Sequence, residues 1–159
     1  MEFEPESFTQ MAGLVLYYDE SDHFYLRVSH DEELGKHLAV IISKQGGYDE
    51  ADDYIKVAAG ERCYLKAVIR YEHARFYYSQ NGTDWHGIGP KLYMGVLADE
   101  YMRKLSFTGG FAGVCVQDLR GTALPADFDY VSYRELGEAE PHNRPYGFRH
   151  ETDKRVNRL

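Results

Sequence analysis

The chain has 159 residues, a formal charge of −8 and a pI near 5.3, with 43% hydrophobic and 28% charged residues. A chain of this length forms one domain and buries about 70% of its unfolded surface, so it needs no disulfide staples. Its 14 Tyr, 8 Phe and 1 Trp argue against general disorder, no run approaches a membrane span, and an acidic surface argues against nucleic acid as a partner.

The acidic Met1–Gln10 stretch has no positive n-region and no apolar h-region. No leader is expected there, and a cytoplasmic location follows. After it the hydrophobic period is two. β-rich runs recur at Gly13–Tyr18, His23–His30, His37–Ser43, Arg62–Arg70, Ala74–Ser79, Gly109–Gln117 and Phe128–Arg134. In the fourth run Leu65, Ala67 and Ile69 alternate with Lys66, Val68 and Arg70, so one face points inward and the other is mostly wet. Asp19–Asp22, Asp31–Gly35, Gln45–Asp49 and Ala59-Gly60 supply turns between runs. Asn81-Gly82 suits a type I′ turn, which predicts a hairpin of Arg75–Gln80 with Thr83–Ile88. Leu92–Leu105 has room for one or two helical turns. Short strands at this spacing predict an antiparallel sandwich or barrel.

From Leu136 onward Gly137, Pro141, Pro145 and Gly147 break regular structure. Glu135–Leu159 holds five acidic and five basic residues, so the whole −8 lies on the body before it. This tail is either loosely attached or docks through Tyr146 and Phe148. Cys63 and Cys115 sit in apolar runs without a CxxC neighbour and read as buried, reduced thiols, with a disulfide between facing strands as the alternative.

Three blocks carry a family resemblance. Gln10-Met11-Ala12-Gly13-Leu14-Val15-Leu16-Tyr17-Tyr18 is the first. Phe76-Tyr77-Tyr78-Ser79 with Gly82, Trp85, Ile88, Gly89 and Pro90 is the second. The third is Phe107-Thr108-Gly109 with Phe111, Gly113, Asp118, Gly121 and Pro125-Ala126-Asp127-Phe128-Asp129-Tyr130. In order and spacing, from about Phe8 to Glu135, the chain resembles the C-terminal β-sandwich of family-43 glycoside hydrolases, the β-xylosidase and arabinofuranosidase group. The resemblance implies an all-β fold, an antiparallel two-sheet jelly roll of the concanavalin-A-like lectin and glucanase type, over residues 1–135, with 136–159 as a tail. It also implies that the hydrolytic carboxylates belong to a separate five-bladed propeller. The family's sandwich begins some tens of residues earlier, so Met1 stands at what would be an interior strand. An edge left open there would need the tail or a second copy to cover it.

Glycoside hydrolysis normally needs two carboxylates across the scissile bond. Glu50-Ala51-Asp52 and Glu151-Thr152-Asp153 match half of the Glu-x-Asp pattern of concanavalin-A-like hydrolases and lack its closing Glu. Asp127 and Asp129 share a face at i and i+2, a start toward a structural Ca²⁺ site. The competing reading has one capping a turn and the other pairing with an Arg. The scattered histidines do not have zinc spacing. The resemblance gives Phe107 the role of shaping a sugar subsite of a partner, with a core position as the alternative. Among the aromatics, Tyr77, with Gln117 as a planar polar neighbour, is the candidate for stacking a sugar. Most other rings read as core, and Trp85 as structural, as in the sialidase-type Asp-box hairpin it resembles.

These readings predict a non-catalytic sandwich module that supports a glycosidase or binds a xylan-type oligosaccharide weakly. The alternatives are a subunit of a split hydrolase acting with a separate propeller, and a scaffold that forms a homodimer. No cofactor is expected beyond the calcium.

Overall fold

The period-two runs become strands in a computed structural model that describes residues 1–99, 109–137 and 153–156. In chain order they are β1 (Gln10–Tyr17), β2 (His23–Asp31), β3 (Gly35–Lys44), β4 (Gly47–Glu50), β5 (Ile55–Lys56), β6 (Tyr64–Arg70), β7 (His73–Ser79), β8 (His86–Tyr93), β9 (Phe111–Asp118), β10 (Val131–Arg134) and β11 (Asp153–Val156). A single 3₁₀ turn, Met94–Leu97, follows β8. By its contacts the chain divides into two units, Met1–Asp127 and Phe128–Leu159. The second unit holds the antiparallel β10–β11 pair, with Val131 opposite Val156 and Arg134 opposite Asp153.

The first unit is an antiparallel sandwich. Its large sheet runs β4-β3-β2-β1-β9, with β5 also pairing with β3, and its small sheet runs β6-β7-β8. Register decides which side chains share a face. Leu16, Leu14 and Ala12 of β1 lie opposite Phe24, Leu26 and Val28 of β2. These in turn face Ile42, Val40 and Leu38 of β3. This apolar face meets Phe76, Ala74, Ile88 and Leu92 of the small sheet, all buried. The contact is close at Gly89, where a Cβ would stand 2.9 Å from a Val40 methyl.

Gly89 also has φ +69°, a backbone state open to glycine at little cost. It opens a bulge in which three residues of β8, Gly89 to Lys91, oppose the single Arg75 of β7. The bulge accommodates Pro90, which has no N–H to give a ladder.

The β7–β8 hairpin exists, but its turn is not the type I′ pair expected at Asn81-Gly82. Gly82 has positive φ and Asn81 does not. The Asn81 side chain closes the loop instead: Oδ1 accepts from the Thr83 and Asp84 N–H groups at 2.9 and 2.8 Å. That Asx geometry widens the connection to residues 80–85. Both residues of Gln45-Gly46, between β3 and β4, have positive φ, which is the type I′ pattern. Register puts Leu65, Ala67 and Ile69 of β6 on the face shared with Ala74 and Phe76, but the expected alternation of a buried and a wet face is not met: β6 is half-buried along its length and Ile69 is 41% exposed.

Gly89→Ala is therefore expected to destabilise the fold by about 2–4 kcal/mol, combining left-handed strain with overpacking against Val40. A lowered urea midpoint with an unchanged m-value checks it.

Candidate functional site

The outward face of the large sheet carries the polar and aromatic residues that its core face lacks. Alternation puts Tyr17 on this face, directly between Phe111 of β9 and His23 of β2. Phe111 and Tyr17 are exposed, and the Tyr17 and His23 rings lie 6.1 Å apart. Three rings on three adjacent strands thus form a row at one end of the face. At the other end Gln117 stands exposed on β9, opposite Met11.

Between these ends two long side chains reach across the sheet in opposite directions. The Tyr25 hydroxyl donates to the Cys115 carbonyl of β9 at 3.1 Å. Gly13, which the register pairs with Arg27 on one side and Cys115 on the other, has no room for a Cβ against the backbone of β2. Burial pushes the Tyr25 phenol far above its ordinary range, so it acts as a fixed donor. Arg27 reaches the other way and pairs with Glu50 of β4 at 2.5 Å, with side-chain exposures of 8% and 19%. Glu50 also accepts from the Tyr48 hydroxyl at 2.9 Å. The Arg27 Nε and Nη1 atoms are buried without a hydrogen-bond partner. His37, on the same face, packs edge-on against Tyr54 at 5.6 Å between centroids.

Tyr77 lies elsewhere. It is on the outward face of the small sheet, on the opposite side of the sandwich from Gln117. Lys66 Nζ sits 5.4 Å from its ring centre and 3.8 Å from that of Trp85. Trp85 therefore holds a lysine over its face. Tyr77 and Gln117 do not form one sugar site. Phe107 lies outside the described residues, as do Tyr101, Glu151 and Thr152. Asp127 and Asp129 are both exposed; the Asp127 backbone exchanges two hydrogen bonds with Glu2, and Asp129 belongs to the second unit. Among the described residues no group of three or more His, Cys, Asp or Glu is gathered in a way that could hold a metal ion. Cys63 and Cys115 are free thiols whose pKa values burial raises. No described helix is long and apolar enough to cross a membrane.

A small cleft of about 210 Å³ opens beside the β7–β8 loop, lined by Ile55, Tyr78, Gln80, Asn81, Asp84 and His86. Asp118, at the end of β9, organises the loop that follows. Its carboxylate accepts from the Leu124 N–H at 3.0 Å, the Thr122 hydroxyl at 2.8 Å and the Arg120 N–H at 3.0 Å. The Gln10 amide donates to both Asp118 and Thr122, which ties the loop to the start of β1. The Leu124 N–H, then the other donors, hold the Asp118 carboxyl down to about 2.

The sequence signalled Tyr17, His23 and Phe111 as members of strands, and Tyr17 and Phe111 also as parts of the family blocks, but not as one row. Their meeting in one row depends on strand order, which no local pattern encodes. The Arg27–Glu50 pair was hidden for the same reason, since 23 residues separate its members.

Two outcomes follow. Glu50→Ala is expected to cost about 3 kcal/mol, because it strands a buried guanidinium, whereas Arg27→Met with Glu50→Leu is close to neutral; urea denaturation of both separates them. Asp118 is a depressed acid, so its stabilising share is present above the ordinary carboxylate range and is lost as pH falls from about 4 to about 2. The stability gap between the parent chain and Asp118→Ala, measured by denaturation, should close over that window.

Residues 1–134 match the family model described as the β-xylosidase C-terminal concanavalin-A-like domain. The β-xylosidase of Bacillus subtilis (strain 168) is 39% identical over 138 residues, covering 85% of this chain and 26% of that relative. Xylosidase/arabinosidase 43B of Humicola insolens is 35% identical over 145 residues, 86% of this chain and 27% of the relative. The crystal structure of xylan β-1,4-xylosidase from Bacillus halodurans C-125 superimposes with a TM-score of 0.74 at 42% identity, covering 77% of this chain and 24% of that one. The chain thus spans about a quarter of the length of these relatives. On its strand order, its three sequence blocks and this match, the chain belongs to the β-xylosidase C-terminal concanavalin-A-like domain family.

Proposed function

We propose that this chain is a non-catalytic sandwich module that completes a family-43 catalytic propeller acting on xylan-type oligosaccharides. One observation carries the reading: the matched 134 residues correspond to about a quarter of relatives named as xylosidases. The placement of the acids agrees with it. Glu50, the leading residue of the first half-matching acidic motif, is held by Arg27 and Tyr48 within the sheet. Asp118, whose carboxyl is held down to about 2, is consumed by its own loop. A glycosidase acid needs its proton near neutral pH, and a carboxyl held near 2 has none to give. In the assembled enzyme Phe107 would border the sugar subsite.

A second reading is weak carbohydrate binding on the Phe111–Tyr17–His23 row, since exposed rings on adjacent strands suit the C–H faces of a pyranose.

The test is hydrolysis of nitrophenyl xyloside and arabinoside by the purified chain, alone and mixed with a family-43 propeller expressed without its sandwich. The expected result is turnover only in the mixture. Turnover by the chain alone, abolished by replacing one carboxylate, would overturn the proposal. Titration of the chain with xylo-oligosaccharides, repeated with Tyr17→Ala, decides the second reading: binding that the variant weakens supports it, and silence at millimolar sugar ends it.

A further inference from the structure

We propose that the outward face of the small sheet binds an anionic glycan, an oligosaccharide that carries a carboxylate, with Tyr77 beneath a sugar ring and Lys66 and Arg75 beside the charge. The sugar class rests on the functional reading above; the sign of the charge rests on the face itself. β6, β7 and β8 contain Lys66, Arg70, Arg75 and Lys91 and no Asp or Glu, in a chain whose formal charge is −8. Register sets Lys66 and Arg70 of β6 on the outward face with Tyr77, Arg75 and His73 of β7. Lys91 is exposed in the β8 bulge opposite Arg75.

Elsewhere Arg27, Lys36, Arg62 and Arg120 are paired with Glu50, Glu4, Glu2 and Glu6. Among the described residues no carboxylate pairs with Lys66, Arg70, Arg75 or Lys91. Exposed cations are commonly left to water, but Lys66 and Arg70 are half-buried. Burial alone lowers the Lys66 pKa, with no carboxylate to oppose it. The Arg70 Nε atom is buried without a hydrogen-bond partner. Taking a cation out of water without a counter-charge is unfavourable, and a ligand carboxylate offsets that penalty.

The rings give the face its shape. Lys66, Tyr77 and Gly87 are neighbours across the three strands. Lys66 Nζ lies 5.4 Å and the Arg75 guanidinium carbon 6.0 Å from the Tyr77 ring centre, so two cations flank one ring. Arg75 takes the space that Gly87 leaves: a Cβ there would stand 3.0 Å from Arg75 Nη2. His73 and Tyr93 add a second ring pair, 5.8 Å between centres, with Tyr93 46% exposed. Aromatic faces suit the C–H surface of a sugar, and ammonium and guanidinium groups beside them suit a carboxylate. A small acidic glycan fits this face better than a nucleic acid does, because a longer polyanion would extend over the acidic remainder of the chain.

Trp85 is the one tryptophan of the chain and holds Lys66 over its ring, so its fluorescence reads this face directly. The test titrates the 159-residue chain with xylotetraose carrying one glucuronic acid branch, with the methyl ester of that branch, and with plain xylotetraose. The acid should saturate the Trp85 signal with a Kd below about 1 mM, and the two neutral sugars should bind about fivefold more weakly or worse. Salt at about 0.5 M should weaken the acid by a similar factor. Arg75→Gln and, separately, Lys66→Gln should each raise the Kd about fivefold by calorimetry, with the urea midpoint of each variant showing that it is folded. No saturation by the acid at about 10 mM, equal binding of its ester, or an unmoved Kd in both folded variants overturns the proposal. So does tighter binding of an oligothymidylate of about twelve nucleotides, which would make the occupant a nucleic acid. If the acid binds while the propeller mixture stays inactive, the functional reading fails and the face stands; turnover in the mixture without binding removes the face and keeps the function.

Discussion

β2 and β3 must be buried on both faces at once, and the rest of the first unit is arranged around that demand. From Phe24 to Ser29 and from Lys36 to Ser43 every residue of these two strands is buried. One face is covered by a second sheet and the other by the strands' own neighbours. The first solution needs close approach, and Gly89 provides it by leaving Val40 the space a side chain would fill. The second needs polar side chains that lie across the sheet toward a partner, and Tyr25 through its hydroxyl and Arg27 through Nη2 do so in opposite directions.

The same constraint gives the acidic residues their roles. A buried guanidinium requires a counter-charge, so Glu50 is held in a fixed pair, and Tyr48 holds its second oxygen. At the far end of β9 the chain must turn, and Asp118 gathers three donors from the following loop and one from Gln10. Both carboxylates are tied to the sandwich's own architecture, and the donors around Asp118 lower its pKa, the opposite of what acid catalysis asks for.

The sequence reading succeeded where information is local. Alternation and β-rich runs located seven of the strands, including β6 and β9, because a strand buried on one face alternates apolar and polar residues and one buried on both is rich in Val, Ile and aromatics. It missed β4 and β5, where Gly47–Glu50 is polar and mostly exposed and Ile55–Lys56 is two residues long; their pairing comes from β3, not from their own composition. It misread the turn at Asn81 because the Asn side chain offered the loop a better acceptor than a tight turn would. The candidate site was legible residue by residue and illegible as a site. Alternation says that Tyr77 and Gln117 point outward, but only sheet assignment says that they point outward from opposite sides. The family came through more clearly, since its three blocks mark turns, bulges and close approaches: Gly13, Gly82, Gly89 and the Asp118 loop are all positions where backbone geometry restricts the residue.

A three-stranded sheet cannot cover a five-strand path with a sixth strand beside it. The deficit is not spread evenly. It falls at the β6 and β9 side, where Ile69 and Val116 are part-exposed on core-facing positions, while the β8 side is sealed by Gly89 against Val40 and by Ile88 and Leu92. Uneven cover differs physically from a loose core: the buried part is packed on both sheets, and at the head of β6 the Met1 and Cys63 backbones exchange two hydrogen bonds.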